Sequence, residues 1–426
     1  MFVNPPDSQL EASLEELLSW LFARQRVIQP GLERVRALLK LLGHPERSFR
    51  SVLVGGSNGK GSTVQALSAI LRSAGYRVGS YTSPHLVRFN ERIQVAAEEI
   101  PDPNLLRLLR EIKPLAEAAG ATFFEIATAA ALRYFELYKV GWAVLEVGLG
   151  GRFDATNAVE PELSIVTNIA LEHTEILGDT LAKIGFEKAG IMRTGKKTFS
   201  AASGEGLVAL ENHATQIGAE LKVLGRDFSV VQAGLRRQGT NIALKLPGGE
   251  HQLFSTLAGG HQAENMALAA VTASELGVGW EQIKRGLEAV RHPGRLERQG
   301  QFLFDGAHNP AAAWALREAL EQLFSEDPLV LLLAFSGGKN VAEMAQAFSG
   351  LGEIVLTRYN SPRAYEPAEL AEYFPGAHLV GEPARALEYA RKLAGKSGTI
   401  VVTGSLYLVG EIKRLLAGLS PEERWQ

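Results

Sequence analysis

The sequence has no cysteine among its 426 residues. This absence excludes disulfide bonds, thiolate metal sites and cysteine nucleophiles, and it is typical of proteins that work in a reducing compartment. We therefore expect a cytoplasmic protein. The first residues, MFVNPPDSQLEAS, have neither a basic start nor an apolar segment, so they do not resemble a signal peptide.

Basic charge and long apolar runs are also scarce. The formal net charge is −3, without the excess of lysine and arginine that nucleic-acid-binding surfaces carry. The longest apolar run, residues 329–335, is far shorter than the ~18 residues that a membrane-spanning helix needs. We expect neither a nucleic acid nor a membrane as a partner.

The length is too great for one hydrophobic core, so we expect two domains. The turn-forming segment at residues 292–295 predicts a boundary, with domains at residues 1–293 and 294–426. Apolar runs that alternate with amphipathic segments predict an α/β fold in both domains. We expect a mostly parallel sheet with a small antiparallel excursion over residues 221–254, followed by a smaller Rossmann-like α/β domain.

An apolar run, a glycine-rich turn and an amphipathic helix follow one another over residues 51–75. Glycines let backbone N–H groups approach phosphate oxygens, and a helix N-terminus adds unpaired donors. We therefore expect Lys60 to bind the β- and γ-phosphates, and either Ser62 or Thr63 to offer a hydroxyl to Mg²⁺. The pattern departs from G-x-x-x-x-G-K-[ST], because Gly61 separates the lysine from the hydroxyls and Val54 replaces the first glycine. The alternative is a flexible turn without a ligand.

Polar side chains follow, or end, three further apolar runs. Ser83 follows one run, Glu146 ends the next, and His173 comes shortly after a third. The carboxyl ends of parallel strands share one edge of a sheet, which is where ligands bind. Glu146 suits a carboxylate that faces nucleotide-bound Mg²⁺. The alternatives are a proline turn at Ser83, a surface glutamate at an edge strand and a structural histidine.

Seven motifs that span nearly the whole chain in order resemble those of the folylpolyglutamate synthase/dihydrofolate synthase family. They are GSNGKGS at 56–62, TSPHL at 82–86, EVGLGGRFDATN at 146–157, EKAGI at 187–191, HQAEN at 261–265, PGRLE at 293–297 and DGAHNP at 305–310. The family belongs to the Mur-ligase-like, ATP-dependent acid–amino-acid ligases. The resemblance implies a Mur-ligase-type P-loop domain and a Mur-ligase-type C-terminal domain.

The resemblance also implies the reaction. ATP phosphorylates a carboxylate, and the amine of L-glutamate attacks the acyl phosphate to give an amide, ADP and phosphate. The acid is dihydropteroate or the γ-carboxylate of a reduced folate. The segments at residues 31–32 and 122–125 look like those of bacterial enzymes with both activities, so we expect both, in a monomer that uses ATP and two Mg²⁺ ions.

The resemblance assigns roles residue by residue. Phosphate and nucleotide contacts fall on Asn58, Gly59, Lys60, Gly61, Ser62, Asn265, Arg295, Asp305 and His308. Magnesium ligands fall on Ser83, Glu146 and His173, and catalytic roles on Lys60, Lys188 and His173. The pterin side falls on Gln29, Pro30, Gly31, Leu32, Thr122, Phe123, Phe124, Glu125, Arg152, Phe153 and Asp154.

Lys188 matches a lysine that is carbamylated in these ligases, and a carbamate there would help to hold the second Mg²⁺. Two residues depart from the family pattern, with Ser57 in place of threonine and Glu172 in place of aspartate. Three alternatives stay open: folylpolyglutamate synthesis alone, a Mur-type ligase acting on another carboxylic acid, and a nucleotide-binding switch that forms no bond.

Overall fold

The computed structural model describes residues 7–25 and 29–419. The strands of the first part of the chain are β1 (Arg50–Gly55), β2 (Val78–Tyr81), β3 (Ile93–Val95), β4 (Glu98–Glu99), β5 (Trp142–Glu146), β6 (Leu163–Val166), β7 (Lys197–Ser200), β8 (Glu220–Val223), β9 (Ser229–Arg236), β10 (Gly239–Leu246) and β11 (Gly249–Ser255). Its helices are α1 (Asp7–Phe22), α2 (Glu33–Leu41), α3 (Lys60–Ser73), α4 (Asp102–Ala119), α5 (Phe123–Leu137), α6 (Thr174–Leu177), α7 (Leu181–Ala189), α8 (Gly204–Ile217), α9 (Gly260–Glu275) and α10 (Trp280–Ala289).

The second part of the chain is smaller. Its strands are β12 (Glu297–Gln299), β13 (Phe302–Phe304), β14 (Leu329–Leu333), β15 (Glu353–Leu356), β16 (His378–Leu379) and β17 (Thr399–Thr403). Its helices are α11 (Pro310–Phe324), α12 (Val341–Phe348), α13 (Pro367–Leu370), α14 (Pro383–Ala394) and α15 (Leu406–Leu416).

The main sheet has the order β4-β3-β2-β5-β1-β6-β7-β8, and all its pairs are parallel except those of β3 and β4. β1 lies between β5 and β6, with Val54 beside Glu146. Leu53 joins the core on one face of the sheet, and Val52 and Val54 join the core on the other. Burial on both faces explains why this strand is a continuous apolar run rather than an alternating one.

The second sheet has the order β12-β13-β17-β14-β15-β16, and only β12 is antiparallel. The predicted α/β class is therefore confirmed for both parts of the chain. None of the helices in the described part of the chain has the length and apolar character that crossing a bilayer requires.

The antiparallel excursion is shorter than the sequence predicted. β9, β10 and β11 form a separate three-stranded antiparallel sheet, whereas β8 pairs in parallel with β7 and belongs to the main sheet. The prediction that the excursion begins at residue 221 was therefore wrong. An alternating pattern predicts a half-exposed strand equally well at a parallel edge and in a hairpin, so the sequence did not separate the two.

Candidate active site

The glycine-rich turn after β1 folds back over its own backbone. The Lys60 ammonium donates to the carbonyl oxygens of Gly56, at 2.9 Å, and Ser57, at 3.0 Å. The backbone N–H of Ser57 donates to the Asn168 carbonyl, and that of Asn58 donates to the Asn168 side chain, both at 2.8 Å. The loop after β6 thus holds the turn by hydrogen bonds, and the Lys60 ammonium lies against the backbone carbonyls of the turn.

Two glycines of the turn leave no room for a side chain. A Cβ atom on Gly56, at φ 126°, would lie 1.9 Å from Thr167 Oγ1. A Cβ atom on Gly59, at φ 85°, would lie 2.2 Å from Asn265 Oδ1. Both φ values lie in the region that L-residues avoid. Asn265 also donates to Gln262 at 3.2 Å, so both amides of α9 lie together, beside the turn.

The structure separates the two candidate hydroxyls at the start of α3. The Thr63 hydroxyl donates to the Gly59 carbonyl, at 3.0 Å. Ser62 Oγ lies 3.2 Å from His292 Nδ1. Burial, together with the charge of Arg295, lowers the pKa of His292 to about 3, so its imidazole is neutral. Among the described residues, the Thr63 hydroxyl is therefore bound to a local backbone carbonyl, whereas that of Ser62 contacts only His292.

Glu146 and Ser83 lie together at the carboxyl ends of β5 and β2. Glu146 is only 5% exposed, so the surface alternative was wrong. Its Oε2 atom accepts a hydrogen bond from the backbone N–H of Ser83, at 3.0 Å. Burial raises the pKa of this carboxyl group, while the charges of Lys60 and Arg295 and the Ser83 hydrogen bond oppose that rise. A buried carboxylate of this kind favours an added cation.

Lys188 is buried behind the turn. Its Nζ atom donates to the Gly56 carbonyl, at 2.9 Å, and to Glu172 Oε1, at 2.7 Å. Burial and the Lys60 charge lower the pKa of Lys188 to about 8. Burial alone would raise the pKa of Glu172, but Lys60 and Lys188 outweigh it and lower that pKa to about 2. His173 follows Glu172 with φ 45°, and its side chain is exposed.

The second sheet contributes to the same place. The Asn309 side chain donates to Asn58 Oδ1, at 3.0 Å, and thereby joins the two parts of the chain at the turn. Its own Oδ1 accepts from the Ala312 backbone N–H, at 2.9 Å, and caps α11. The motif at residues 305–310 therefore lies against residues 56–62, here called the phosphate-type turn, and the junction of these two segments is called the cleft.

Asp305 and His308 make hydrogen bonds to the backbone on the second-sheet side of the cleft. Asp305 accepts backbone hydrogen bonds from Leu296, at 3.0 Å, and Ala307, at 2.9 Å. Burial raises the pKa of Asp305, and the nearby Arg295 charge opposes that rise. His308 Nδ1 donates to the Gly306 carbonyl, at 2.8 Å, and burial lowers the pKa of this imidazole to about 4.

Two of the three segments assigned to the pterin side, residues 29–32 and 122–125, meet around Arg34. Its guanidinium pairs with Glu125, at 3.1 Å, and donates to the Gln29 carbonyl. Glu125 also accepts from Thr122, in a capping box at the start of α5. The segment of Gln29, Pro30, Gly31 and Leu32 is thus tied to the start of α5.

The two aromatic residues of α5 differ. Phe123 is 7% exposed and stacks on Phe22 with ring centroids 5.8 Å apart, as a core residue does. Phe124 is half-buried, and its ring lies where a Cβ atom on Gly148 would be, at 2.4 Å. Phe124 is therefore the aromatic residue positioned at the ligand edge.

The loop after β5 is built around Asp154. This buried carboxylate accepts from the backbone N–H groups of Gly148, at 3.0 Å, Leu149, at 2.9 Å, and Thr156, at 3.0 Å. Arg152 pairs with Glu187 of α7 at 2.6 Å and lies over the exposed ring of Phe153, at 4.3 Å. Asp154 shapes the loop, while Arg152 and Phe153 face outwards.

Sequence reasoning did not find Lys339, which lies in the turn between β14 and α12. Burial lowers its pKa, and the Glu172 carboxylate opposes this shift. Its charge also contributes to lowering the pKa values of His173 and His308, so it lies near both. The available signal was a turn of two glycines and a lysine directly after an apolar strand, the same signal that marks Lys60.

The residues present fit a magnesium–nucleotide complex. Across residues 7–25 and 29–419, no three histidine or acidic side chains form a ready-made metal cluster. Mg²⁺ does not need one, because it uses one or two carboxylates together with phosphate oxygens and water. Glu146 would supply the buried carboxylate, Ser62 a hydroxyl, and the turn its N–H groups and a lysine.

Comparison with known families assigns both parts of the chain. Residues 54–273 match the Mur ligase middle domain, and residues 294–406 match the Mur ligase, glutamate ligase domain.

Individual relatives agree with that assignment. The chain is 32% identical over 424 residues to dihydrofolate synthase/folylpolyglutamate synthase of Bacillus subtilis, covering 94% of this chain and 99% of the relative. It is 35% identical over 418 residues to a probable bifunctional folylpolyglutamate synthase/dihydropteroate synthase of Haloferax volcanii, covering 93% of this chain but only 50% of that relative. The chain thus spans about half the length of this archaeal relative.

A solved structure is similar over almost the whole fold. Escherichia coli FolC in complex with DHPP and ADP superimposes with a TM-score of 0.86 at 31% identity, covering 94% of this chain and 98% of that one.

Proposed function

The chain belongs to the folylpolyglutamate synthase/dihydrofolate synthase family of ATP-dependent Mur-type ligases, and we propose that it adds L-glutamate both to dihydropteroate and to the γ-carboxylate of reduced folates. The observation that carries this proposal is the cleft in which Asn58 of the phosphate-type turn meets Asn309 of the second sheet. A cleft between two ligand-binding sheet edges suits a reaction that joins a nucleotide, an acid and an amine.

The charges at the cleft suit the first step. A carboxylate oxygen of the acid attacks the γ-phosphorus of ATP, the bond to the β-phosphate oxygen breaks, and ADP leaves. Both reactants are anions, so cations must bring them together. We assign Lys60 of the turn to the phosphates, and the cations Arg295 and Lys339 act on the same region from the second part of the chain. The acyl phosphate hydrolyses in water, so burial between two domains protects it.

The second step needs a site for glutamate. Its amine attacks the acyl carbon, the C–N bond forms, phosphate leaves, and the amine gives up a proton. We place this site at the carboxyl ends of β14, β15 and β17, where the hydroxyls of Ser336 and Tyr359 lie 2.5 Å apart and Ser405 caps α15. Lys339 and Arg363 supply charge for the glutamate carboxylates. The match of residues 294–406 to a glutamate ligase domain supports this placement.

Magnesium bound here would neutralise phosphate charge. We propose that Ser83, Glu146 and His173 hold it, with Ser62 as a further hydroxyl. The buried carboxylate of Glu146, which makes one hydrogen bond among the described residues, supports this role. His173 is supported more weakly, because it lies near three lysine charges.

We also propose that Lys188 is carbamylated. A pKa of about 8 leaves part of this amine neutral near neutral pH. The neutral amine can attack CO₂, form an N–C bond and release a proton. Glu172 opposes the product, because a carbamate would put a second anion beside its carboxylate, so a cation must join them.

We propose that the pterin stacks on the ring of Phe124. The segments around Arg34, Arg152 and Asp154 would lie beside it. The similarity to the dihydrofolate synthase/folylpolyglutamate synthase of Bacillus subtilis supports a pterin-type acid as the substrate. The same loop features do not separate the two activities, since both acids carry a pterin.

ADP release with ATP, Mg²⁺ and L-glutamate tests the proposal. Dihydropteroate and tetrahydrofolate are supplied in separate reactions, and we expect turnover with each. Turnover with tetrahydrofolate alone would reduce the function to folylpolyglutamate synthesis. ATP hydrolysis that needs neither an acid nor glutamate would contradict ligase activity.

A further inference from the structure

His292 is the linker residue that touches the phosphate-type turn. It lies between α10 and β12, and its Nδ1 atom is 3.2 Å from Ser62 Oγ. The ring packs against Gly61, because a Cβ atom there would lie 2.8 Å from its Cε1 atom and 3.3 Å from Glu146 Oε2. His292 and Glu146 therefore flank the first turn of α3.

The hydrogen bond has only two arrangements. A serine hydroxyl has one hydrogen and two lone pairs, and a neutral imidazole carries its hydrogen on one of two nitrogens. If Nδ1 carries it, Nδ1 donates to Ser62 Oγ. If Nε2 carries it, Ser62 donates to Nδ1. Nδ1 is the only hydrogen-bond partner of the Ser62 side chain among the described residues.

Cation binding selects one of these arrangements. An oxygen that ligates a cation turns a lone pair towards it, so its hydrogen must point away and needs an acceptor. We propose that His292 is a positioning residue that accepts the hydroxyl hydrogen of Ser62 at Nδ1 and so aims the Ser62 oxygen at the nucleotide-bound magnesium. This inference rests on the proposed function and adds a residue outside the phosphate-type turn to it.

The linker that carries His292 is anchored on both sides. Arg291 donates to Thr256 Oγ1, at 3.0 Å, and the backbone N–H of Gly294 donates to Glu297, at 2.8 Å. The imidazole is therefore delivered from a fixed backbone at the junction of the two parts of the chain. Because a shift of this linker moves Nδ1 away from Ser62, cation binding and the relative placement of the two parts are coupled.

Two substitutions of His292 distinguish the loss of the hydrogen-bond acceptor from the loss of the ring. His292→Phe keeps a flat ring against Gly61 but removes the acceptor, and His292→Asn puts an amide oxygen close to the place of Nδ1. Binding of a non-hydrolysable ATP analogue is measured by calorimetry with and without Mg²⁺. We expect His292→Phe to weaken binding about 10- to 100-fold with Mg²⁺, as loss of a partner to a metal ligand typically does, and less than twofold without it. His292→Asn should recover most of the loss.

A double-mutant cycle with Ser62→Ala completes the test. On the Ser62→Ala background, His292→Phe should have no further Mg²⁺-specific effect. An equal loss with and without Mg²⁺, or an undiminished loss on that background, would overturn the inference and leave His292 as a packing residue. A wild-type protein that binds no nucleotide would overturn the proposed function and this inference with it.

Discussion

The Nζ atom of Lys188 lies 2.7 Å from Oε1 of Glu172, in an ion pair directly behind the phosphate-type turn. The Lys188 side chain is 2% exposed and that of Glu172 is 22% exposed. Removing one partner of such a pair leaves the other charge buried and uncompensated, which costs more than the intact pair contributes. Because the pair lies behind the turn, the stability of the turn depends on the ionisation of Glu172 and Lys188.

In protein kept free of bicarbonate, so that Lys188 carries no carbamate, Glu172→Gln should lower the free energy of unfolding by about 3 kcal/mol at neutral pH, because Lys188 then lacks its anion. The pKa of Glu172 is lowered from 4.5 to about 2 in the folded protein, so its contribution is present above pH 4.5 and is lost as the pH falls towards 2. Urea unfolding of both proteins between pH 7 and about 3 checks this prediction.

Glu175→Gln is the matched control, since Glu175 is an exposed neighbour without a hydrogen bond or ion pair among the described residues. It should change stability by less than about 0.5 kcal/mol. A stability gap between wild type and Glu172→Gln that stays constant from pH 7 to about 3 would contradict the assigned pKa shift.

Lys188→Ala should reduce turnover strongly if the lysine carries a carbamate, because the second cation then loses an anionic ligand. Acetate or another small carboxylate should restore part of the activity by taking the place of the carbamate. A ¹³C carbamate signal after incubation with labelled bicarbonate, present in wild type and absent in the variant, gives a readout independent of activity. Full activity of Lys188→Ala would remove this residue from the mechanism.

Lys60→Ala should reduce turnover by roughly 10²–10³-fold, because it removes the cation that we propose for the transferred phosphoryl group. Lys40→Ala is the control, as Lys40 is an exposed lysine at the end of α2. ADP release under saturating substrates measures the effect. Comparable rates in the two variants would refute the assignment of residues 56–62 as a phosphate-binding turn.

Asp154→Asn should destabilise the protein by about 2 kcal/mol, because the new amide group cannot accept all the backbone hydrogen bonds that the carboxylate accepts. Thr156→Val is the milder comparison, since it removes only the hydroxyl that also donates to Asp154. Thermal unfolding followed by circular dichroism ranks the two variants. If Asp154→Asn unfolds at the wild-type temperature but loses affinity for the pterin acid, Asp154 contacts the substrate rather than shaping the loop.

The sequence was most informative where one short segment carries both structure and chemistry. A continuous apolar run, four glycines and Lys60 predicted the strand, the turn and the helix together, because each follows from local pattern. The placement of Ser83 beside Glu146 followed from one topological rule, that parallel strands end at a shared edge.

The sequence did not predict which residues that are far apart in the chain contact each other. Nothing in the pattern paired Glu172 with Lys188 or Ser62 with His292, because residues 16 and 230 positions apart meet only through the fold. No role was predicted for Lys339, although its turn has the same glycine–lysine pattern as the turn of Lys60. β8 was assigned to the wrong sheet because alternation does not reveal the partner strand.

Asn309 both donates to Asn58 and caps α11, and substitutions can test these two contacts separately. Asn309→Ser should keep the cap of α11, because serine caps as well as asparagine, but serine is too short to donate to Asn58. We expect unchanged stability and about fivefold weaker binding of an ATP analogue, the loss of one hydrogen bond worth about 1 kcal/mol. Asn309→Ala should lose the same affinity and also about 1 kcal/mol of stability.

These two variants give the contact a sharp test. Because they share the lost donor and differ in the cap, equal nucleotide affinity with unequal stability assigns the affinity loss to the contact across the cleft. Wild-type affinity in Asn309→Ser would instead make Asn309 a capping residue only. The cleft would then close through Arg295 and Lys339 rather than through the turn itself.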